Sequence, residues 1–379
     1  MALDVTPLLS RPTGVGVMTR ELVSRLADSP GLALSGFALS WRGRGRLAAV
    51  LPAGVAPLRR PMAARPLRAL WRRADRPPIE WWTGPVEVVH GPNFVTPPAA
   101  RAAEVVTVHD LTPLRYPELC TADTLAYPEL VRRALRRGAW VHAVSPFVAA
   151  EVVAELGASP DRVVCVPNGV TRPAAEGDPA LGRALAGGDR FVLALGTVEP
   201  RKDLPTLVAA FDALAAEDGE LRLVLAGPDG WGAAALDAAV QAARHRRRIV
   251  RLGWVEEHQR AALLAAARVY AYPSLYEGFG LPTLEAMAAG AVVVTTTAGA
   301  LPDTVGDAAL LAPPGAPDAL AETLRRALED DALRAELVAR GAAQVERFSW
   351  ARAAVALEQL YRRAWQERES RQAGRRALR

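Results

Sequence analysis

The sequence predicts an α/β protein with two doubly wound domains, each a parallel sheet covered by helices on both faces. Short apolar strand patterns alternate with helical patterns in the first half, and the same alternation returns in the second half. The 379 residues are enough for two hydrophobic cores. A stretch rich in Pro, Gly and Ala at 171–188 separates the halves, so we predict domains over 1–170 and 189–350 joined by a linker.

The elements of the first half follow from local patterns. Ser145 is a predicted N-cap, because Pro146 follows it at the first helical position. The turn residues Pro167, Asn168 and Gly169 lead the chain out of the sheet. Strands are predicted at 2–5, 32–40, 86–89, 105–108, 141–144 and 163–166, and helices at about 18–28, at 126–137 and from 146 onward.

The stretch 41–84 fits this alternation less well. It contains a predicted basic helix near 66–75 that carries Trp71, and seven arginines lie between positions 59 and 76. Two interpretations stay open. The helix could lie on anionic lipid headgroups through its arginines, or Trp71 and Leu70 could pack against the domain with the arginines outward.

The second half repeats the scheme. Asp203 is a predicted N-cap, with Pro205 in the first helical turn. The last helix, from Trp350 to about Arg368, has apolar residues at helical spacing. Strands are predicted at 191–195, 221–226, 249–252, 269–271 and 292–295, and helices at 203–216, 233–246, 256–267, 318–328 and 332–346.

The charge distribution limits the class of partner. The net charge is +5, but residues 1–170 carry 20 Arg against 14 acids, and residues 351–379 carry eight Arg against three acids. A basic first half and tail can attract an anionic partner, such as a membrane face or an acidic acceptor. No stripe of aromatic and basic residues and no zinc-ligand spacing accompanies the charge, so we do not expect nucleic-acid binding.

The composition also indicates a compartment. No apolar run is long enough to span a bilayer, and the N-terminus lacks the charged-then-apolar pattern of a signal peptide. Cys120 and Cys165 have no metal-ligand spacing and suit a reducing environment. We therefore expect a cytoplasmic protein, associated at most with the inner face of a membrane; the oligomeric state is not readable from the sequence.

A single lysine marks one loop of the second half. Arg supplies 45 of the 46 basic residues, and the remaining one is Lys202, next to Arg201 in the loop after a predicted strand. Arg binds phosphate as a planar fork and Lys as a compact point charge. The pair suggests an anion-binding loop.

One stretch combines two acids with a glycine-loosened turn that opens a short helix. Glu277 and Glu285 flank the turn, Gly278 and Gly280 let the backbone approach a ligand, and Pro282 suits the first helical turn. A helix start offers free N–H groups with a partial positive charge, which bind phosphate or sugar hydroxyls. We therefore predict a ligand site here, where a strand ends.

Together these motifs resemble those of family GT4 of retaining glycosyltransferases, which have the GT-B fold, and one segment is similar to a mannosyltransferase-like branch. The resemblance runs from residue 3 to about 365. It implies two facing Rossmann-like domains with a cleft between them, acceptor-binding first and donor-binding second, and a C-terminal helix at about 351–379 that crosses back to the first domain. The matching segments are 4–8 with 13–16, 109–118, 143–147, 167–170, 196–203, 277–290 and 301–307.

The resemblance implies roles for the second domain. Arg201 and Lys202 would neutralise the departing diphosphate without a metal, because the sequence has no Asp-x-Asp handle. Glu285 would hydrogen-bond the ribose hydroxyls, and Glu277 would lie beside the donor sugar and favour an oxocarbenium-like centre. The further donor-binding candidates are Gly196, Thr197, Gly253, Val255, Gly278, Phe279, Gly280 and Leu281.

The resemblance also implies roles for the first domain. Gly14 and Gly16 would let the backbone approach the diphosphate and the acceptor. His109 would contribute a polar contact near the donor sugar, and Asp110 would orient His109 or touch the acceptor. The loop at 90–94 is either structural or an acceptor wall.

One departure from the family concerns the acceptor. Relatives often have an Arg-Tyr pair after the second glycine, whereas this chain has Val17 and Met18. Either the acceptor differs, or another cation such as Arg11 or Arg20 takes that role.

The implied reaction moves a hexosyl, mannosyl-like residue from GDP-mannose or a UDP-sugar to a glycan, lipid-linked or small-molecule acceptor, with no permanently bound cofactor or metal. Because Glu277 is not obviously a nucleophile, a front-face mechanism is expected, in which the leaving phosphate takes the acceptor proton. The base, the sugar, the acceptor and the linkage stay open.

Other classes fit less well. A dinucleotide-binding oxidoreductase would explain Gly14 and Gly16, but Thr19 replaces the third glycine and no ribose-binding acid follows. A sugar-nucleotide epimerase of the same architecture is the nearer alternative and would act without an acceptor. A non-catalytic sugar-binding protein would not need both acids and both cations of the second domain.

Overall fold

Two parallel sheets organise the chain. The computed structural model describes residues 1–9, 13–172 and 177–377. The chain divides into a first unit, Met1–Gly169 with Ser349–Arg379, and a second unit, Val170–Phe348. Both units are built from alternating strands and helices, so the predicted fold class is confirmed.

The sheet of the first unit is parallel throughout the described residues. Its strands are β1 (Ala2–Asp4), β2 (Ser35–Phe37), β3 (Ala56–Leu58), β4 (Val88–Gly91), β5 (Ala103–Val108), β6 (Trp140–Ala143) and β7 (Val163–Cys165). The spatial order is β3-β2-β1-β4-β5-β6-β7, which reverses direction between β1 and β4. Ligands of such sheets bind outside the carboxyl ends of the strands, near the point of reversal.

Helices cover this sheet. They are α1 (Gly14–Ala27), α2 (Leu47–Val50), α3 (Ala64–Trp71), α4 (Glu80–Thr83), α5 (Thr112–Arg115), α6 (Tyr127–Arg137) and α7 (Pro146–Leu156). α1 begins four residues before the predicted start, because Thr13 is its N-cap and accepts a hydrogen bond from the Gly16 N–H at 3.2 Å. The predicted Ser145 cap is confirmed, with its hydroxyl accepting from the Val148 N–H at 3.1 Å.

The stretch 41–84 resolves into short elements. Trp71 is buried in the core beside Met62, and its indole N–H donates to the Pro77 carbonyl at 3.2 Å. Of the two residues that one of the open interpretations packs against the domain, Trp71 is buried and Leu70 is not, since 44% of Leu70 is exposed. Neighbouring residues of a helix point about 100° apart around its axis, so Trp71 is buried while Leu70 faces solvent.

The second unit contains the second sheet. Among the described residues its strands are β8 (Phe191–Leu195), β9 (Arg222–Ala226), β10 (Ile249–Gly253), β11 (Val269–Tyr272), β12 (Val293–Thr296) and β13 (Ala309–Ala312), in the parallel order β10-β9-β8-β11-β12-β13. Its helices are α8 (Pro179–Ala186), α9 (Leu204–Leu214), α10 (Ala233–Ala242), α11 (Glu257–Ala266), α12 (Leu281–Ala288), α13 (Leu301–Val305), α14 (Pro317–Glu329) and α15 (Asp331–Val345). Among the strands and α-helices described for this unit, β13 and the short helices α8 and α13 have no counterpart in the predicted elements.

Helix α8 lies within the stretch predicted as a linker, 171–188. Residues 173–176 are outside the described residues, but 177–188 belong to the second unit and pack on α11. Gly182 makes this packing close, because a Cβ atom there would lie 2.1 Å from the Ala262 carbonyl oxygen. The Ala- and Gly-rich residues that the sequence indicates as a linker therefore include a helix that packs closely on α11.

The C-terminal helix α16 (Trp350–Ala377) returns to the first unit and packs on α1, β4 and β5. The predicted apolar stripe is buried: Ala353, Ala354, Leu357, Leu360, Tyr361 and Ala364 are each at most 5% exposed. Although α16 is long, neither it nor any other helix of the described ranges is apolar enough to cross a membrane.

A buried chain of hydrogen bonds joins α16 to the sheet of the first unit. Tyr361 bonds to His90 Nδ1 at 2.8 Å, His90 Nε2 to Thr107 Oγ1 at 2.8 Å, and Thr107 Oγ1 to His142 Nδ1 at 2.9 Å. His142 Nε2 donates to the Val166 carbonyl at 2.9 Å. When both histidines are neutral, this bond sets the direction of all the others: Thr107 donates to His142, His90 donates to Thr107, and Tyr361 donates to His90. His90 is therefore a structural residue of the core.

Candidate functional site

Glu277 lies in the turn between β11 and α12. The turn ends at Gly280, the N-cap of α12, whose φ of 89° is left-handed and favours glycine. Pro282 occupies the first turn of α12 and Gly290 follows its end with φ 79°, both as the sequence predicts. The helix therefore begins four residues after Glu277, with its first N–H groups at the end of the turn.

A second turn holds the backbone of Glu277 in place. The Glu277 carbonyl oxygen accepts a hydrogen bond from the Ala300 N–H at 2.8 Å. Gly299 has φ 59°, and a Cβ atom on it would lie 2.2 Å from that carbonyl oxygen. The Thr296 hydroxyl donates to the Ser274 carbonyl at 2.6 Å. The loop after β12 thus fixes the turn that presents the carboxylate.

One oxygen of the Glu277 carboxylate collects four donors. Oε1 lies 2.5 Å from Arg201 Nη1 and 2.6 Å from Lys202 Nζ. It also accepts from the Tyr272 hydroxyl at 2.8 Å and the Ser274 hydroxyl at 2.9 Å. The structure thus brings together three of the predicted catalytic residues. Sequence reasoning missed the two hydroxyls, although they stand five and three positions before Glu277.

The cluster settles the ionisation of its members. Burial alone would raise the pKa of Glu277, but Arg201 and Lys202 hold that pKa far below its ordinary value of 4.5. Burial, with the nearby Glu277 charge, raises the pKa of Tyr272 well above 10.0. Burial and Arg201 lower the pKa of Lys202, and Glu277 partly offsets this. The site at neutral pH therefore holds an anionic carboxylate and a neutral phenol, beside the Arg201 guanidinium and the Lys202 amine, whose charged form Glu277 favours.

The loop after β8 presents the two cations. Residues Pro200–Lys202 form a single 3₁₀ turn that ends at Asp203, a non-glycine residue with φ 47°. Arg201 also donates to the Tyr276 carbonyl at 2.9 Å, and the Lys202 ammonium lies 4.4 Å from the centre of the Tyr272 ring. Left-handed backbone in a non-glycine residue costs free energy and recurs at functional sites.

A cavity of about 290 Å³ opens at the carboxyl ends of β8, β9, β10 and β11. These four strands are neighbours in the second sheet. Four predicted donor-binding residues line the cavity, namely Gly196, Thr197, Lys202 and Gly253, and so do Tyr272, Asp229 and Arg251. The cavity thus extends from the loop that carries Lys202 to the end of β10.

The other predicted donor-binding residues lie outside the lining of this cavity. Phe279 is buried and packs edge-on against Phe348 with ring centres 5.6 Å apart. Leu281 is buried in the first turn of α12, Gly278 is buried before it, and Val255 is half-buried after β10. The side chains of Phe279 and Leu281 therefore serve packing.

Glu285 has a partner that sequence reasoning missed. Its Oε2 lies 2.7 Å from Arg260 Nη2, on α11. Burial raises the pKa of Glu285, and Arg260 partly offsets this. A basic residue twenty-five positions earlier on another helix gives no local sequence signal for such a pair.

The first unit places His109 in an aromatic setting. Its Nε2 donates to the Pro92 carbonyl at 2.7 Å, and its ring lies edge-on to Phe94 with centres 5.5 Å apart. Phe94 has φ 59° and stacks on Tyr127 at 4.9 Å. Burial lowers the pKa of His109, and the Pro92 bond and Asp110 only partly offset this. His109 is therefore neutral near pH 7.

The remaining candidates of the first unit lie at element ends. Asp110 Oδ1 accepts from the Thr112 N–H at 2.9 Å, at the start of α5. Gly14 and Gly16 form the first turn of α1. Arg20 is exposed on α1, and Arg11 lies outside the described residues. Across the described ranges, no three or more His, Cys, Asp or Glu residues are grouped to hold a metal ion.

Fold and site together define a class: an α/β enzyme of the doubly wound type, with a charged site at the carboxyl ends of its strands. Residues 12–172 match the family model described as Glycosyltransferase Family 4, and residues 183–344 match that described as Glycosyl transferases group 1.

Relatives and solved structures agree with the family models. The chain is 36% identical over 270 residues to the O-antigen chain mannosyltransferase B of Escherichia coli, covering 69% of this chain and 71% of that protein. Sucrose-phosphate synthase from Thermosynechococcus elongatus has a TM-score of 0.75 at 22% identity, over 97% of this chain and 99% of that one. Anabaena Alr3699/HepE in complex with UDP and glucose has a TM-score of 0.72 at 19% identity, over 94% and 97%.

The chain therefore belongs to the family 4 glycosyltransferases and has the GT-B fold of two Rossmann-like domains. It is an enzyme of the glycosyltransferase class. Nothing in these comparisons supports the oxidoreductase or epimerase alternatives.

Proposed function

We propose that this enzyme transfers a mannosyl-like hexosyl residue from a nucleotide-diphosphate sugar to a glycan, lipid-linked or small-molecule acceptor, with retention of configuration and without a metal. The observation that carries the proposal is the Glu277 carboxylate with Arg201 and Lys202, at the edge of a cavity formed by strand ends. In this proposal the second unit binds the donor and the first unit binds the acceptor.

The charges of the cluster suit this reaction. Departure of a nucleoside diphosphate leaves negative charge on the phosphates and positive charge on the anomeric carbon. Arg201 and Lys202 would receive the phosphate charge, as preorganised cations do for a developing anion. Glu277 would face the sugar, where its negative charge favours an oxocarbenium-like centre. Because the cations are already ordered by Glu277, little reorganisation is needed when the donor binds.

The rest of the donor would lie along the second unit. The backbone around Gly196, Thr197, Gly253 and Val255 would contact the nucleotide, and the amides at Gly278, Phe279, Gly280 and Leu281 would contact phosphate or sugar oxygens. Glu285 would accept hydrogen bonds from the ribose hydroxyls. Backbone amides at the start of α12 are suited to anions, because they lack intrahelical partners.

A front-face route explains retention without a side-chain base. Glu277 is ionised and held by four donors on one oxygen, an arrangement that disfavours attack on carbon. In the proposed step the bond from the anomeric carbon to the leaving phosphate breaks, the acceptor oxygen bonds to the same face, and the acceptor proton moves to a phosphate oxygen. His109 and Asp110, with Gly14 and Gly16, would line the acceptor side.

The donor is proposed to be GDP-mannose or a UDP-sugar. The E. coli relative is a mannosyltransferase by name, and the Anabaena structure contains UDP. A thermal-shift panel of GDP, UDP, ADP and their sugars tests the choice, because a ligand that binds only the folded state raises its unfolding temperature. One base giving the largest shift is the expected result.

Transfer itself is tested with the best donor, alone and with mannose-terminated acceptors, in EDTA. The expected result is a new glycoside with the anomeric configuration of the donor, formed only with acceptor. Donor epimerisation without acceptor, inversion of configuration, or loss of activity in EDTA would each contradict the part of the proposal that it addresses.

We further propose peripheral contact between the first unit and an anionic membrane face. Residues 41–84 contain ten Arg and two acids. Both acids are engaged elsewhere: Asp75 pairs with Arg133 at 2.8 Å, and Glu80 accepts from the backbone N–H groups of residues 100–102. Trp41, Leu70 and Trp81 are 59%, 44% and 66% exposed among these arginines. Exposed Trp beside Arg is typical of surfaces that bind anionic lipid.

Vesicle sedimentation tests this contact. The protein should sediment with phosphatidylglycerol vesicles but not with phosphatidylcholine vesicles, and a Trp41→Ala, Trp81→Ala double variant should sediment less. Trp254→Ala is the matched control, because Trp254 is exposed on the second unit. Equal sedimentation of both variants would remove the tryptophans from the proposed surface.

A further inference from the structure

Glu285 and Arg260 connect two helices of the second unit. Arg260 lies on α11 and Glu285 on α12, and Nη2 of the arginine is 2.7 Å from Oε2 of the glutamate. Both side chains are about three-quarters buried, with 25% and 24% exposed. A carboxylate at this depth is costly unless a cation neutralises it.

Arg260 makes a second, weaker contact toward solvent. Its Nη1 lies 3.2 Å from Glu257 Oε1, and the Glu257 side chain is 77% exposed. Exposed pairs on one helix contribute little. The guanidinium therefore has an inner contact with Glu285 and an outer contact with Glu257, and the inner one carries the larger electrostatic effect.

The two oxygens of Glu285 differ in their contacts. Oε2 accepts a hydrogen bond from Arg260, whereas Oε1 accepts none from the described residues. Among the residues that the structure describes, Arg260 is also the one cationic side chain within ion-pair distance of Glu285. The orientation and the charge of this carboxylate thus depend on a single residue.

Tyr270 lies close to this ion pair. It is fully buried on β11, and its hydroxyl has no hydrogen-bond partner among the described residues. Arg260 and Glu285 both act on it electrostatically. Buried polar groups normally have partners, so the Tyr270 phenol is an exception in the core beside this ion pair. Oε1 of Glu285 is not among the buried unpaired atoms of the described residues.

We infer that Arg260 is a positioning residue for the donor: it keeps Glu285 ionised, holds Oε2, and leaves Oε1 for the ribose hydroxyls of the nucleotide sugar. This inference rests on the proposed function, in which Glu285 binds ribose. Arg260 itself touches neither the sugar that is transferred nor the reacting atoms.

Loss of Arg260 has a defined electrostatic consequence. Burial already raises the pKa of Glu285, and Arg260 opposes that effect. Without the cation the pKa rises further, so Glu285 takes up a proton at a higher pH. A protonated carboxyl accepts hydrogen bonds more weakly than a carboxylate. Donor affinity in the variant should therefore begin to fall at a higher pH than in the wild type.

The test compares Arg260→Leu, Arg260→Lys and the control Glu257→Gln, with kcat and donor KM measured from pH 5 to pH 8. Arg260→Leu should raise the donor KM by about tenfold or more, the scale of a lost charge-assisted hydrogen bond, with kcat within about threefold of wild type. The pH below which 1/KM for the donor falls should be higher in Arg260→Leu than in the wild type. Arg260→Lys should recover most of the affinity, and Glu257→Gln should match wild type.

Deoxyribose nucleotides separate positioning from general loss of structure. In the wild type, the 2′-deoxy form of the preferred nucleoside diphosphate should bind more weakly than the ribose form, and Arg260→Leu should reduce that difference. Should Arg260→Leu fold poorly, Arg260→Gln is measured in its place.

Two results would overturn the inference: an unchanged donor KM and pH profile in Arg260→Leu, or an equal loss of ribose and deoxyribose binding. Failure of the proposed function would look different, because the wild-type enzyme itself would then transfer no sugar.

Discussion

Nζ of Lys202 lies 2.6 Å from Oε1 of Glu277 and 4.4 Å from the centre of the Tyr272 ring. The chain's single lysine thus touches an acid that Arg201 also contacts. A compact ammonium fits between the carboxylate and the Tyr272 hydroxyl, to which Nζ also donates a hydrogen bond, while the planar guanidinium takes the position beside it. The two cations are not interchangeable in this arrangement.

Lys202→Arg is expected to reduce kcat/KM by about tenfold to a hundredfold although the charge is kept, because a planar fork cannot take the place of a compact ammonium that donates to both the Tyr272 hydroxyl and Glu277. Steady-state kinetics with the preferred donor measure the loss. Lys202→Met removes the charge as well and should lose more. Equal activity of the arginine variant and wild type would show that charge alone matters at this position.

Glu277→Gln should lower kcat by about a hundredfold or more, the scale of removing one preorganised electrostatic contact from a transition state. The amide keeps the shape but no longer offsets positive charge at the anomeric carbon. Saturating donor and acceptor give kcat, and intact mass spectrometry of the enzyme tests for a sugar bound to residue 277.

Tyr272→Phe is the matched control for Glu277, because it removes one donor from the same oxygen and leaves both cations in contact. It should cost much less than Glu277→Gln. Near-full turnover by Glu277→Gln would remove the carboxylate from the chemistry, and a trapped covalent sugar in the wild type would replace the front-face route by a double displacement.

Gly299→Ala should both destabilise the second unit and reduce activity. The new Cβ atom would lie 2.2 Å from the Glu277 carbonyl oxygen, and φ is 59°. Strain and a displaced turn together should cost about 2 kcal/mol or more in unfolding free energy. Thermal unfolding and kcat are the measurements. Gly219→Ala is the control, since no heavy atom lies within 4 Å of a Cβ there.

The hydrogen-bond chain from Tyr361 to Val166 predicts acid sensitivity in the first unit. Burial lowers the pKa of His142 from 6.5 to about 4, and burial lowers that of His90 too. The two histidines therefore bind protons more tightly in the unfolded chain than in the folded one. Their contribution to the free energy of unfolding is complete above about pH 6.5 and is lost as the pH falls toward 4. For His142 alone the loss is about 3 kcal/mol.

Hydrogen–deuterium exchange of β5 and β6 peptides, corrected for intrinsic rates, measures this loss between pH 7 and pH 5. His142→Gln should flatten the dependence, because its amide can donate to the Val166 carbonyl and accept from Thr107 without titrating. His258→Gln, at an exposed position on α11, should leave it unchanged. An identical pH response in all three proteins would place the sensitivity outside the chain of hydrogen bonds.

The sequence predicts the strands and long helices well because their signals are local. The five-residue strand β8 matches its predicted bounds, and the stripe on α16 is buried as expected. Elements that depend on distant neighbours are predicted less well. Residues 179–186 have the composition of a linker, but they form a helix that packs on α11.

The same division applies to the site. Glu277, Arg201 and Lys202 stand in recognisable segments, and the structure brings them into contact. The Arg260–Glu285 pair joins residues 25 positions apart, and the Tyr361–His90 bond joins residues 271 apart. No periodicity or spacing rule reaches across such separations, so these partners are visible only in three dimensions.

The assignment of α16 to the first unit has a consequence for biosynthesis. About 180 residues of the second unit, Val170–Phe348, are translated between the two parts of the first. Until the final segment leaves the ribosome, β4 and β5 lack the helix that covers them, and their apolar surface stays open to chaperones and to misassembly. The second unit has no such delay, so the later-encoded half should reach its native state before the half that begins the chain.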